Sequence, residues 1–394
     1  SLKKLSKYNN IVYVRGEHRL QDFRDRDLVI KSGNIPLDSE YIAEAKRHGV
    51  RVTTAEALFL EHAPGVLSIG ITGTRGKTTV THVIYEMVKA SGRKVFLGGN
   101  VRGVATLPLL TRAKSGDVVV MELDSWRLQG LHEWQLSPQI AVFTNFMADH
   151  QNYYKGDMNA YFADKANIFA FQKAVDTLVV TKSVATLIKS KGVTPKSKII
   201  ISGTKLPPGW KCALPGAHNT QNVLLALRAA RAAGVPESVC RKVLARFEGV
   251  PGRLETVGVK KGVLYINDTT ATTPDAAVAA LEAFKKYAGK ILLIGGGADK
   301  ALDYAQYGRV IPKYIKTLVL FEGIASDKIV AALPTRKNFF TGIVDSMKDA
   351  VSVAEHSAEK GDLVLLSPGA ASFGIFKNEY DRGDQFVKLV KKIR

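Results

Sequence analysis

The chain has 394 residues, 46% of them hydrophobic, and carries a formal net charge of +20. That apolar content supplies several packed cores and argues against a disordered chain, while the length suits two or three domains. The basic clusters Lys3-Lys4, Lys260-Lys261 and Lys391-Lys392 are short and lack interleaved aromatics, so the charge points to polyanionic small substrates rather than to nucleic acid.

Residues 1–64 read as a small α/β piece. Strands are expected at 11–14, 27–30 and 50–52. A helix is expected over 39–48, opened by Asp38 or Ser39 and stopped by Gly49. Residues 2–10 are charged and have no apolar core of a signal peptide.

Residues 65–248 read as a phosphate-binding domain. An apolar run at 66–69 leads into Gly70-Ile71-Thr72-Gly73-Thr74-Arg75-Gly76-Lys77-Thr78-Thr79, and an amphipathic run at 80–90 leads out. Strand, glycine turn and helix is the arrangement that cradles a phosphate. Backbone N–H groups turn inward at the glycines, the helix N-terminus adds partial positive charge, and a lysine reaches the outer phosphates. The strict spacing asks for glycine where Ile71 stands, so the match is to the shorter form Gly73-x-x-Gly76-Lys77-Thr78, with the Thr78 hydroxyl placed for Mg²⁺. Further strands are expected at 94–97, 118–121, 140–143, 177–181 and 198–201. Two of these, 118–121 and 140–143, are unbroken apolar runs, as in parallel strands covered on both faces. Helices are expected over 159–171, 219–233 and 236–247.

A third unit begins after Gly249-Val250-Pro251-Gly252. Strands are expected at 263–267, 291–294, 318–321 and 363–366. Helices are expected after Thr273 as N-cap with Pro274 at N1, and over 326–333, 344–358 and 379–393. Such alternation predicts an α/β protein of parallel sheets with helical crossovers. No apolar run reaches the roughly eighteen residues of a membrane span. The two cysteines, Cys212 and Cys240, stand in no CxxC and near no histidine pair, which gives no support to a disulfide framework or a zinc site and fits a reducing cytoplasm.

Ligands of open α/β sheets bind outside the carboxyl ends of the strands. The strand at 118–121 ends in Glu122-Leu123-Asp124-Ser125. A carboxylate one strand from a phosphate loop is the usual second ligand of a nucleotide-bound Mg²⁺, and Glu122 is the better candidate than Asp124. The strand at 140–143 runs on to Asp149-His150. Lys165 follows on a helix, where a lysine is ordinarily solvated. Asn219 serves either as a helix N-cap or, with His218 and Asn222, as a nucleotide contact. In the last unit, residues 265–272, 295–300 and 367–373 place Gly, Ser, Thr, Asp and Lys at three strand ends. Arg253 can reach a phosphate there, and Lys300 a carboxylate.

These residues resemble the signature of the Mur ligases and the related folylpolyglutamate synthetases, ATP-dependent amide-forming enzymes with three α/β domains. The resemblance lies in Thr72 to Thr79, in His218-Asn219 with Asn222, in Pro251-Gly252-Arg253-Leu254-Glu255, in Asn267-Asp268, and in the stretch Ser367-Pro368-Gly369-Ala370-Ala371-Ser372-Phe373 that continues to Arg382-Gly383. That last stretch is similar to the branch that adds D-glutamate to UDP-N-acetylmuramoyl-L-alanine in peptidoglycan precursor synthesis. The resemblance implies a partial N-terminal UDP-binding domain (1–64), a central ATP-binding domain (65–248) and a C-terminal amino-acid-binding domain (249–394). It also implies a cytoplasmic monomer acting on that acceptor, D-glutamate and ATP.

By the same resemblance, Gly73, Thr74, Gly76, Lys77, Thr78 and Thr79 hold the ATP phosphates, Asn219 and Asn222 contact the nucleotide, and Arg253 and Asp268 contact phosphates and ribose. Two Mg²⁺ ions are implied, with Thr78, Glu122, His150 and Lys165 as ligands. Lys165 matches a lysine carbamylated by CO₂, and Lys77, His150 and Lys165 take the catalytic roles. Asn100, Ser125 and Arg127 fall on the acceptor side, and Thr272, Lys300, Ser367 and Phe373 on the D-glutamate side. Three departures stand out. Arg75 replaces the usual asparagine and places an extra positive charge near the phosphates, Asp124-Ser125-Trp126-Arg127 replaces Ser-Ser-Phe-Gln, and Thr270 replaces a lysine. They leave open a Mur-type ligase with a different acceptor or amino acid, and a phosphate-loop protein that binds ATP without ligation.

Overall fold

The computed structural model describes residues 9–33, 35–334 and 339–393. Its contacts divide the chain into two compact units. One comprises Ser1–Lys77, Val88–Ser202 and Arg228–Val235. The other comprises Thr78–Met87, Gly203–Leu227 and Pro236–Arg394.

The first unit opens with a two-stranded parallel sheet, β1 (Leu28–Ile30) and β2 (Arg51–Thr53), packed on a small cluster of Ile42, Ala45, Val50 and Val52. The strand expected at 11–14 does not form. Those residues are exposed, Val12 at 87%, and no neighbour offers them a ladder. An apolar run without a pairing edge stays an extended segment.

A six-stranded parallel sheet carries the phosphate loop. It is built from β3 (Leu67–Thr72), β4 (Val95–Gly99), β5 (Val118–Glu122), β6 (Ile140–Phe143), β7 (Thr177–Val180) and β8 (Lys198–Ile201), in the spatial order β4-β5-β3-β6-β7-β8. Every residue of β5 and β6 is buried, as the unbroken apolar runs predicted. All its strands are parallel; successive strands are added to one side of β3 as β5 and β4 and to the other as β6, β7 and β8, so the loop after β3 opens at a topological switch point. Glu122 ends one of its neighbours and the 144–150 loop follows the other.

The second unit holds a mixed six-stranded sheet: β9 (Glu255–Lys260), β10 (Val263–Asn267), β11 (Ile291–Gly296), β12 (Ile315–Phe321), β13 (Phe340–Val344) and β14 (Leu363–Leu366), ordered β13-β12-β11-β14-β10-β9. Its two faces bury separate clusters, one around Ile266, Leu293 and Leu365, the other around Tyr265, Ile294 and Phe386. β9 is antiparallel to β10 and does not figure among the expected strands. Its signal was the two-residue turn Lys261-Gly262, both at positive φ (50° and 79°), which is the turn that closes a tight hairpin. Three helix starts also shift, the one expected at 326 lying at Ile324 in the helix Ile324–Ala332. Ser346 caps the helix Met347–Ser357 while Val344 ends β13, and the long helix begins at Ala217, so Asn219 lies inside its first turn and is not its N-cap. Thr273 and Pro274 open the helix Pro274–Ala283 as expected. Among the described residues no helix is long and apolar enough to cross a membrane.

Candidate active site

In the first unit the phosphate loop is held by the strand end beside it. Gly73 (φ 141°) and Gly76 (φ 81°) supply the left-handed turns, and a Cβ on Gly73 would collide with Thr144 Oγ1. Thr74 Oγ1 donates to Met147 O (3.2 Å) and accepts from Met147 N (3.0 Å). Arg75 N donates to Asn145 Oδ1 at 2.8 Å, and Arg75 O accepts from Thr144 Oγ1 (2.6 Å) and Asn145 Nδ2 (3.2 Å).

Two lysines meet on one carbonyl of this loop. Lys77 Nζ donates to Gly73 O at 2.9 Å and to Thr74 O at 3.1 Å. Lys165, from the helix Met158–Ala170, donates to the same Gly73 O at 2.9 Å. Lys165 is only 1% exposed, where a helix lysine is ordinarily solvated, and its amine lies 4.8 Å from the centre of the Tyr161 ring, one turn earlier. Burial, and after it the charge of Lys77, push this amine well below the ordinary lysine value, against the pull of Asp124, Asp149 and Asp164.

His150 follows β6 at a positive φ of 53°. Its ring lies 4.6 Å from the Trp126 ring and 6.1 Å from that of Tyr161, centre to centre. Burial lowers its pKa, assisted by Lys165 and Lys77, so the imidazole is kept in its neutral, metal-ligating form. Glu122 ends β5 at 3% exposure, and its Oε2 is buried without a hydrogen-bond partner. An orphaned carboxylate oxygen of this kind fits a cation. Asn100 N donates to Glu122 O at 2.7 Å, which puts the exposed Asn100 beside that strand end.

Asp124 is the N-cap of the helix Ser125–Glu133. It accepts from Arg127 N (2.9 Å) and pairs with the Arg127 guanidinium, whose Nε also lies 3.5 Å from Glu56 Oε1. The acceptor-side departure is thus an internal ion pair next to the buried Ser125. Arg75 is explained as well. Its Nη1 bonds Asp149 Oδ2 at 3.1 Å, so its positive charge is matched within the site.

In the second unit Arg253 Nη2 donates to Thr78 Oγ1 at 2.8 Å. Asn222 Nδ2 donates to Asn219 Oδ1 (3.2 Å), and Asn219 Nδ2 to Pro215 O (2.7 Å). Asp268 is buried and accepts from Ser367 Oγ (2.8 Å) and Leu254 N (3.1 Å), while burial pushes its carboxyl up to about 7. Lys300 Nζ donates to Thr272 Oγ1 at 3.2 Å, and Phe373 is 64% exposed. Ser367, by contrast, is fully buried on Asp268.

Three contributors escaped sequence reasoning. Tyr161 and Asp164 share the helix of Lys165, and their spacing from it was the available signal. Asp164 accepts from Gln129 Nε2 (2.7 Å) and Tyr154 OH (2.8 Å). Arg382, fully buried, donates to Thr269 O (2.8 Å), Thr269 Oγ1 (3.2 Å) and Ala370 O (3.3 Å) and ties the last helix to two strand ends.

Comparison with known proteins places this geometry. Residues 71–205 match the Mur ligase middle domain, and residues 252–369 the Mur ligase glutamate ligase domain. A UDP-N-acetylmuramoylalanine–D-glutamate ligase of Roseiflexus sp. (strain RS-1) is 34% identical, over 97% of this chain and 88% of that one. One from Geobacillus kaustophilus is 35% identical, over 93% and 84%. Among solved structures, a Thermotoga maritima MurF ligase in complex with ADP superposes with a TM-score of 0.65 at 18% identity, covering 95% of this chain and 96% of that one. The Thermotoga maritima UDP-N-acetylmuramate-alanine ligase MurC gives 0.64 at 19%, covering 100% and 90%. The chain belongs to the Mur ligase family.

Proposed function

We propose that the protein is an ATP-dependent ligase that joins D-glutamate to UDP-N-acetylmuramoyl-L-alanine in peptidoglycan precursor synthesis. The observation that carries this reading is the meeting of Lys77 and Lys165 on the Gly73 carbonyl, in a chain 34% identical to a ligase of that name over 97% of its length. A fully buried lysine beside a second cation is a poor structural choice and a good reactive one.

The phosphate loop and Lys77 receive the ATP phosphates. Glu122 with its unpartnered Oε2 and the neutral His150, both in the first unit, fit Mg²⁺ as donors. Among the described residues no three His, Cys, Asp or Glu side chains group to hold an ion; in this reading a carbamate on Lys165 would add the missing oxygen ligand. Burial disfavours the proton on its amine, and addition of the unprotonated amine to CO₂ would form a C–N bond as one C=O π pair moves onto oxygen and a proton leaves to solvent; the carbamate oxygens would then hold the cation. Bound there, the metals would neutralise charge developing on phosphoryl oxygens.

The chain's own residues position the reactants. The acceptor carboxylate attacks the γ-phosphate, giving an acyl phosphate and ADP, and the amine of D-glutamate then attacks the acyl carbon and expels phosphate. Lys77 lies where negative charge builds in the first step. Lys300 with Thr272 offers one ammonium and one hydroxyl for a carboxylate of the amino acid.

The test is phosphate release and product mass with UDP-N-acetylmuramoyl-L-alanine, ATP and a panel of amino acids. D-Glutamate should be preferred. The Asp124–Arg127 ion pair favours checking the acceptor too, and turnover with another acceptor or amino acid alone would overturn the assignment.

A further inference from the structure

Arg75 occupies the phosphate loop, where an arginine is expected to reach a phosphate, yet its charge is spent on the protein. Nη1 bonds Asp149 Oδ2 at 3.1 Å. Asp149 in turn accepts the main-chain N–H of His150 on Oδ1 at 3.0 Å, and its Oδ2 lies 3.8 Å from His150 Nε2. Asp149 thus bridges the Arg75 guanidinium and the His150 main chain within hydrogen-bond distance on both sides.

What it restrains is a residue that needs restraint. His150 sits in the left-handed region, which costs a non-glycine residue free energy unless neighbours enforce it. Trp126 and Tyr161 fix the ring, and the Asp149 carboxylate fixes the backbone. We propose that Arg75 is a positioning residue that sets His150 as a metal ligand by way of Asp149, and is not a reader of ATP phosphates. This rests on the reading of His150 as a ligand given under Proposed function. The backbone of Arg75 is bonded to Thr144 and Asn145 at the other end of the same loop. The side chain thus closes a bracket between the phosphate loop and the 144–150 loop, so that the ligand and the phosphates keep one register. Pairing with Asp149 also leaves Lys77 as the loop's cation for the nucleotide.

The experiment is Mn²⁺ binding, followed by electron paramagnetic resonance of free Mn²⁺, in the presence of a non-hydrolysable ATP analogue whose affinity is measured separately. The full-length chain is compared with Arg75→Ala, Arg75→Lys, Asp149→Asn, His150→Ala and the double variant Arg75→Ala/Asp149→Asn. His150→Ala should lose one of two Mn²⁺ ions. Arg75→Ala should weaken that ion by about tenfold or more, the usual effect of removing an outer partner of a ligand, with analogue affinity changed less than about twofold. Arg75→Lys should recover most of the loss, because it keeps the charge. The double variant should be no weaker than the worse single, since both act through one link. A weakened analogue with Mn²⁺ binding unchanged in Arg75→Ala and Arg75→Lys would overturn the proposal and make Arg75 a phosphate reader. Two Mn²⁺ ions retained by His150→Ala would overturn the ligand reading itself, and this proposal with it.

Discussion

Among the described residues each unit buries one long cation completely, and the two are handled in opposite ways. Arg382 in the second unit is 0% exposed and Lys165 in the first is 1% exposed. Arg382 spreads its donors over Thr269 O, Thr269 Oγ1 and Ala370 O, and burial moves it down only to about 10, so it stays charged at neutral pH. Lys165 has one carbonyl and one aromatic face, with Lys77 competing for the same carbonyl. A planar guanidinium with five donors can be satisfied by carbonyls in a fixed frame, and it becomes a clamp. A compact ammonium with one acceptor is under-satisfied, and burial beside a second cation disfavours its proton. The same burial is met by three acceptor atoms in one unit and by one carbonyl in the other, and a catalytic role for Lys165 is the reading this contrast supports.

The largest effect that would break this comparison is on turnover. Lys165→Met should lower kcat by about 10³-fold, equivalent to roughly 4 kcal/mol of transition-state stabilisation, with partial rescue by a small added carboxylate. Retained wild-type kcat in a coupled phosphate-release assay would make Lys165 as structural as Arg382. Next in size is a stability effect. Arg382→Met should destabilise the second unit by about 3 kcal/mol, because Thr269 O and Ala370 O lose their guanidinium donor while buried, and Thr269 Oγ1 keeps only its bond to Glu379 O. Urea unfolding followed by a probe in that unit measures it, since a two-unit chain has no single unfolding free energy.

Much of this contrast was hidden in the sequence, for a physical reason. The parallel sheet with β5 and β6 was legible because strands buried on both faces must be apolar throughout. The phosphate loop was legible because Gly73 and Gly76 have no substitutes at their backbone angles. Lys165 was different. On a helix its spacing says nothing about burial, and only the family resemblance singled it out. Arg75 and Arg127 looked like free charges because a sequence names charges without their partners. Asp149 and Asp124 lie in loops or caps whose course depends on the tertiary fold. The hairpin strand β9 alternates in exposure without a continuous apolar run, and only the Lys261-Gly262 turn marks it.

A smaller effect separates the two cations by their response to pH. The native first unit disfavours the proton on Lys165 and the unfolded chain does not. The unfolded state therefore binds more protons, and stability rises with pH from the lowered native value up to about 10.5. Lys165→Met should remove that slope. Arg382, still protonated below about 10 in the native state, should add no slope between pH 6 and 8, and Arg382→Met should leave it as in the wild type. Asp268 works in the reverse sense. Its carboxyl, raised from 3.8 to about 7, binds its proton more tightly when folded, so it makes the second unit lose stability as pH rises through that window. Urea midpoints at several pH values in wild type, Lys165→Met and Asp268→Asn resolve the three contributions. A pH slope unchanged in Lys165→Met would mean the amine stays protonated in the native state.

The smallest effect has the opposite sign from the Arg382 result. In CO₂-depleted buffer Lys165→Met should stabilise the first unit by about 1 kcal/mol, because an apolar chain of similar length replaces a buried amine with too few acceptors. The Gly73 carbonyl does not become an orphan, since Lys77 Nζ still donates to it at 2.9 Å. Among the described residues both hydrogen bonds to Ala370 O come from Arg382, so its removal leaves that carbonyl without a donor. A gain in stability together with a loss of turnover is the signature of a group kept for chemistry at the expense of the fold. If Lys165→Met instead lost as much stability as Arg382→Met, the bond from Lys165 to Gly73 would be a clamp on the phosphate loop. The loss of turnover in the same variant would then follow from a loosened loop, and Lys165 would be a positioning residue.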